Sequence, residues 1–84
     1  MFFIPAETEV ILKPYTTEQC PVVPFEAEQA THVGERWVVM DTRVIRHNNV
    51  DYKVLRLRTR FPSEYPGMEW FEPAVQIAFV PSPY

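Results

Sequence analysis

Two runs rich in β-branched, aliphatic and aromatic residues, Arg36 to His47 and Val50 to Phe61, flank the pair Asn48-Asn49. Such runs, bounded by turn residues, predict strands whose successive side chains point to opposite faces. Asn tolerates the left-handed backbone that both central positions of a type I′ turn require, so the pair predicts a tight hairpin. The turn also sets the register, from His47 opposite Val50, through Asp41 opposite Arg56, to Trp37 opposite Arg60. One face of this hairpin then carries Val38, Met40, Thr42, Val44, Lys53, Leu55, Leu57, Thr59 and Phe61, and reads as the core face. The other carries Trp37, Val39, Asp41, Arg43, Ile45, Tyr52, Val54, Arg56, Arg58 and Arg60, a mixture of aromatics, aliphatics and bases.

The flanks read less clearly. Glu7 to Lys13 and Ala74 to Val80 predict two weaker strands, the second placing Val75, Ile77 and Phe79 on one side, and Val22 to Phe25 a third short one. A short helix is expected over Glu26 to His32, ending at Gly34. Residues 62–73 read as a loop with an aromatic cluster, turning at Pro66-Gly67. All nine prolines lie outside Phe25–Phe61, as expected if the long paired strands occupy the middle. The fold class that follows is all-β or β-dominated. It is a small curled antiparallel sheet or SH3-like partial barrel of four to five strands around a central hairpin at 36–61, forming one domain over 1–84.

Eighty-four residues hold one modest core. The opening Met1-Phe2-Phe3-Ile4-Pro5 lacks the basic region of a signal peptide, and no apolar run approaches the ~18 residues of a membrane span. A single cysteine, Cys20, forms no internal disulfide and fits a reducing cytoplasm, that of a host cell if the protein is phage-encoded. The net charge of −3 is unevenly spread. Residues 1–35 carry six acids and one Lys, residues 36–60 seven bases and two acids, and residues 61–84 three acids and no base. A basic centre thus lies between two acidic arms.

The residue inventory argues against catalysis. A thiol nucleophile needs a base, and Cys20 is followed by Pro21, with only His32 and His47 as candidates, the latter at a hairpin tip. Two histidines and one cysteine at no metal-ligand spacing predict no metal site, and two glycines make no phosphate loop. The expectation is a non-enzyme without cofactors.

Two surfaces remain. Arg56, Arg58 and Arg60 alternate onto one side with Arg43 and Trp37 across the ladder. Bases interleaved with aromatics can bind single-stranded nucleic acid, but they can equally pair internally with Asp41 and the acidic arms or form a protein-binding face. The loop residues Tyr65, Met68, Trp70 and Phe71, with Trp37, are candidate anchors for a protein partner. The alternative is that Trp70 and Phe71 plug the open end of the sheet.

Tyr52 to Pro66, including Arg60-Phe61-Pro62-Ser63-Glu64-Tyr65-Pro66, followed by a strand to Ile77, resembles the second strand, Tyr-Pro turn and third strand of ubiquitin-conjugating and RWD-type domains. No long N-terminal helix precedes the run, and Cys20 lies before it, so the resemblance implies a non-catalytic binding role at most. The function expected is a small protein–protein interaction module, such as an adaptor, inhibitor, or accessory or virion subunit. Another protein is the expected partner, and open sheet edges invite pairing with a second copy. The alternative is a nucleic-acid-binding module using the Arg stripe.

Overall fold

The computed structural model describes residues 3–61 and 67–81. In chain order the elements are β1 (Glu9–Leu12), α1 (Ala27–Thr31), β2 (Arg36–His47), β3 (Val50–Arg58), β4 (Met68–Phe71) and β5 (Val75–Phe79). One 3-10 turn, Glu72–Ala74, joins the last two strands. The strands form a single antiparallel sheet in the order β4-β3-β2-β1-β5. The small β-dominated fold read from the sequence is therefore the one observed, as an open sheet rather than a closed barrel.

The connection from β4 to β5 shows how far that sheet curls. The two strands are the opposite edges, and four strand spacings of about 4.8 Å would separate them by about 19 Å in a flat sheet. Four residue steps from Phe71 to Val75 reach at most about 14 Å. The sheet must therefore bend until its edges approach one another at this turn. Two hydrogen bonds hold the closure: the Trp70 indole N–H and the Lys13 backbone N–H both donate to the Ala74 carbonyl, at 2.9 Å each.

The hairpin turn is as the sequence reads, with φ of 49° at Asn48 and 64° at Asn49. Its register holds from His47–Val50 to Asp41–Arg56 and then shifts, so that Val39 faces Leu57 and Val38 faces Arg58. Met40 is the extra residue of a β-bulge, and it reverses the faces of everything before it. Trp37 and Val39, read as mixed-face residues, turn into the core with Leu55 and Leu57, while Val38 moves to the opposite face. Trp37 consequently lies across from Val10 on β1 and makes no pair with Arg60.

Four other sequence expectations are corrected. Val22 to Phe25 is a loop, because Pro21 and Pro24 deny it ladder donors. Residues 68–71, read as loop, form strand β4 against β3. Ladder pairing of β3 ends at Arg58, leaving Thr59 and Phe61 outside it and Phe61 largely exposed. A second register shift, between β1 and β5, leaves Ala78 unpaired and turns Phe79 away from the face that holds Val75 and Ile77. The helix α1 appears nearly where expected, with Gln29 accepting from the Glu26 backbone N–H at its start and Gly34 at a φ of 87° beyond its end.

The buried core holds Val10, Leu12, Trp37, Val39, Leu55, Leu57 and Trp70, together with Tyr15, Cys20, Val23, Ala74 and Val54, the last buried although the sequence places it on the mixed face. The helix buries none of its residues, so the lid of this core is the irregular segment before it. Thr16 and Gln19 close a turn reciprocally, backbone N–H to side-chain oxygen in both directions, and this returns the chain so that Cys20 is wholly buried. Tyr15 spans the lid: its hydroxyl donates to the Val23 carbonyl at 2.7 Å while its ring packs on Phe25, Trp70 and Phe71.

Candidate functional site

The convex face carries an ordered set of charges. Arg56 lies between Asp41 on β2 and Glu69 on β4 in the same cross-strand row. It donates to Asp41 at 2.5 Å, and Glu69 instead pairs diagonally with Arg43. Arg58 reaches past Val38 to Glu7 at 2.6 Å, and Arg60 approaches Glu9 at 3.7 Å. Arg46–Asp51 at the hairpin tip and Lys53–Glu72 beside the 3-10 turn complete the series. Every cation from Arg43 to Arg60 therefore has its own carboxylate, and in these pairs among the described residues no acid serves two. The basic centre and acidic arms of the sequence are interleaved by folding. Most of these pairs are solvent-exposed, so each contributes about 0.2–1 kcal/mol and their larger effect is on register and field.

An open groove of about 610 Å³ crosses this face, lined by Asp41, Thr42, Arg43, Arg56, Gly67, Met68 and Glu69. Both of its arginines are engaged by its own carboxylates, so it offers alternating charge and no free cation among the described residues. The groups with displaced proton affinity lie elsewhere. Burial pushes the Tyr15 hydroxyl and the Cys20 thiol upward, making both inert at neutral pH. The Glu35 carboxyl is held below the ordinary carboxylate range by hydrogen bonds from His32 and Trp37. No group of three or more His, Cys, Asp or Glu among the described residues is placed to hold a metal. No helix among them is long and apolar enough to cross a membrane.

Of the anchors expected from the sequence, the two tryptophans do not lie at the surface. Trp70 is completely buried and Trp37 nearly so, and a buried indole presents nothing to a partner without unfolding the core. Met68 is half-buried opposite Leu57, and Phe71 is half-buried against Tyr15. Tyr65 lies outside the described residues. The epitope reading of Trp37 and Trp70 is therefore replaced by a core role, because β4 carries Trp70 into the curl in register with Leu55.

The exposed apolar surface is on β5 instead. This strand pairs with β1 on one side only, and among the described residues no strand lies on its other side. Ile77, Phe79 and Val80 are each about half exposed, at 51%, 53% and 51%. The second bulge spreads them: Ile77 belongs to the row of Val10 and Trp37, and Phe79 to the row of Glu9, Val38 and Arg58. No charged residue occurs from Ala74 to Val80. Natural edge strands are usually guarded by Lys, by inward-facing charge or by Pro, and a six- or seven-residue uncharged β-rich run on an exposed edge is the sequence signal of a strand open to further pairing, aggregation included. That signal is present in residues 74–80, where sequence reading registered only a weak strand. Comparison of the chain with protein-family models, with curated proteins and with solved structures found no match.

Proposed function

We propose that the protein is a small non-catalytic protein–protein interaction module that docks through the free edge of β5. The observation that carries this reading is an uncharged outer strand with Ile77, Phe79 and Val80 half exposed beside it. An edge of this kind offers main-chain donors and acceptors for affinity and flanking apolar side chains for specificity, the chemistry of strand addition. The charged face supports the same reading from the other side. From Arg43 to Arg60 its bases are neutralised one by one, with Arg36 outside these pairs, so little uncompensated positive field remains to attract a phosphate backbone. Adaptor, inhibitor and accessory-subunit roles all use such docking without bond chemistry.

The test is affinity capture from lysate of cells that also express an untagged copy, with and without nuclease, identifying both bound protein and bound nucleic acid. The expected result is a protein species retained after nuclease treatment and lost when Ile77→Lys and Phe79→Lys are combined. Capture that disappears with nuclease, and that survives the β5 substitutions, would instead install the Arg stripe as a nucleic-acid interface.

A further inference from the structure

We infer that the occupant of the β5 edge is a second copy of this chain, paired antiparallel through β5 about a twofold axis. The inference rests on the docking role proposed for β5 and names its partner. An antiparallel strand pair relates its two members by a twofold, so an edge can present the same donor and acceptor pattern to itself without adjustment. Side-chain chemistry agrees. Residues 74–80 contain no acid and no base, so self-pairing places no like charges opposite one another. For the same reason, a charged peptide would find no complementary group on this strand. Two copies would instead set the apolar stretch with half-exposed Ile77, Phe79 and Val80 of one chain against the same stretch of the other.

The other sheet edge makes the alternative assembly unfavourable. β4 is only four residues long and includes Glu69, which is already paired with Arg43. Docking β5 onto the β4 edge of a neighbour would also be a head-to-tail contact, which generates open filaments unless the rotation happens to close. Pairing β5 with β5 closes at two chains and yields one continuous ten-stranded sheet, twice the five strands of the single chain.

The experiment is light-scattering mass determination across the micromolar range on the purified full chain, with hydrogen exchange of the β5 amides at both ends of that range. The expected result is a mass rising to that of two chains, with β5 amides more protected at high concentration. Ile77→Lys and Phe79→Lys, both at half-exposed positions, should return the mass to one chain while circular dichroism and melting of the monomer stay as in wild type. If the double variant fails to fold, Gln76→Lys at the same edge serves in its place. A single-chain mass at every concentration overturns the dimer, as does a dimer unaffected by these substitutions or a mass that grows without limit. A single-chain mass combined with β5-dependent capture of a different protein would overturn only the second-copy assignment and leave the docking role of β5 standing.

Discussion

The ring of Tyr15 meets the indole of Trp70 edge-on, with centroids 5.5 Å apart and planes at 82°. This contact joins the irregular lid to the sheet, since Tyr15 precedes the lid turn and Trp70 is the innermost residue of β4. Phe25 approaches the same indole at 6.0 Å and 84°, so the lid grips Trp70 from two sides. Edge-to-face pairs of this kind are worth about 0.5–1.5 kcal/mol beyond the area they bury.

Replacing Trp70 by Ala should therefore cost about 3–5 kcal/mol, because it empties the centre of the core and removes the donor to Ala74. Urea unfolding should show this as a large fall in midpoint. Tyr15→Phe should cost about 1–3 kcal/mol, leaving the Val23 carbonyl without its donor while keeping the ring. A Trp70→Ala protein that melts like wild type would remove this residue from the core.

The thiol of Cys20 should be unreactive in the native protein. It is fully buried and its ionisation is disfavoured by desolvation. Alkylation at mildly alkaline pH should proceed only as fast as the lid opens, accelerating sharply in denaturant. Cys20→Ser should leave partner binding intact and lower stability modestly, by about 1–3 kcal/mol if the new hydroxyl finds no partner.

Acid should loosen the junction between α1 and β2. His32 Nδ1 donates to Glu35 Oε1 at 2.6 Å, and the Trp37 indole donates to the same oxygen at 3.1 Å. These bonds lower the native proton affinity of Glu35, so they favour folding above the ordinary carboxylate pKa of ~4.3. The contribution fades as pH falls through the lower native value. In a Trp70→Phe background, Trp37 emission should change in that acid window, and Glu35→Gln should abolish the transition.

The ion pairs of the convex face should be individually weak. Reversing one by Arg58→Glu should cost little stability, on the order of 1 kcal/mol, and adding Glu7→Arg should recover part of it. Anisotropy titrations of the wild type with single-stranded oligonucleotides should show no binding that weakens steeply with salt.

Met40 sets the phase of β2. Met40→Ala should be mild, since the bulge is a backbone feature. Deleting Met40 should also be tolerated, because it straightens the ladder while keeping Val39 opposite Leu57 and Trp37 on the core side. Circular dichroism and melting of both variants would check this.

The hairpin could be read in advance because its turn is chemically explicit: two Asn residues fix the loop, and the loop fixes the register for the seven pairs from His47–Val50 to Asp41–Arg56. The bulge could not. Val38-Val39-Met40 is apolar throughout, so alternation carries no mark of where one residue drops out of the ladder. That single slip also hid the core role of Trp37. β4 escaped notice because Met68-Glu69-Trp70-Phe71 sits between Gly67 and Pro73, where turn residues outweigh four residues of strand pattern. Pairing between Arg56 and Asp41 was legible, being directly cross-strand. The partners of Arg43, Arg58 and Arg60 were not, since they depend on how β1 and β4 dock. The β5 edge needs tertiary knowledge of which strands are outermost.

Because each base from Arg43 to Arg60 is matched to an acid of the sheet or its margins, the molecule's surplus negative charge is displaced from the region where its charges are densest. Glu18, Glu26 and Glu28 stand outside every ion pair among the described residues, and all three belong to the lid and the start of α1. The charge is thus asymmetric, nearly balanced along the paired bases of the sheet and acidic over the lid and the start of α1, so a positively charged surface would attract that part of the molecule most strongly.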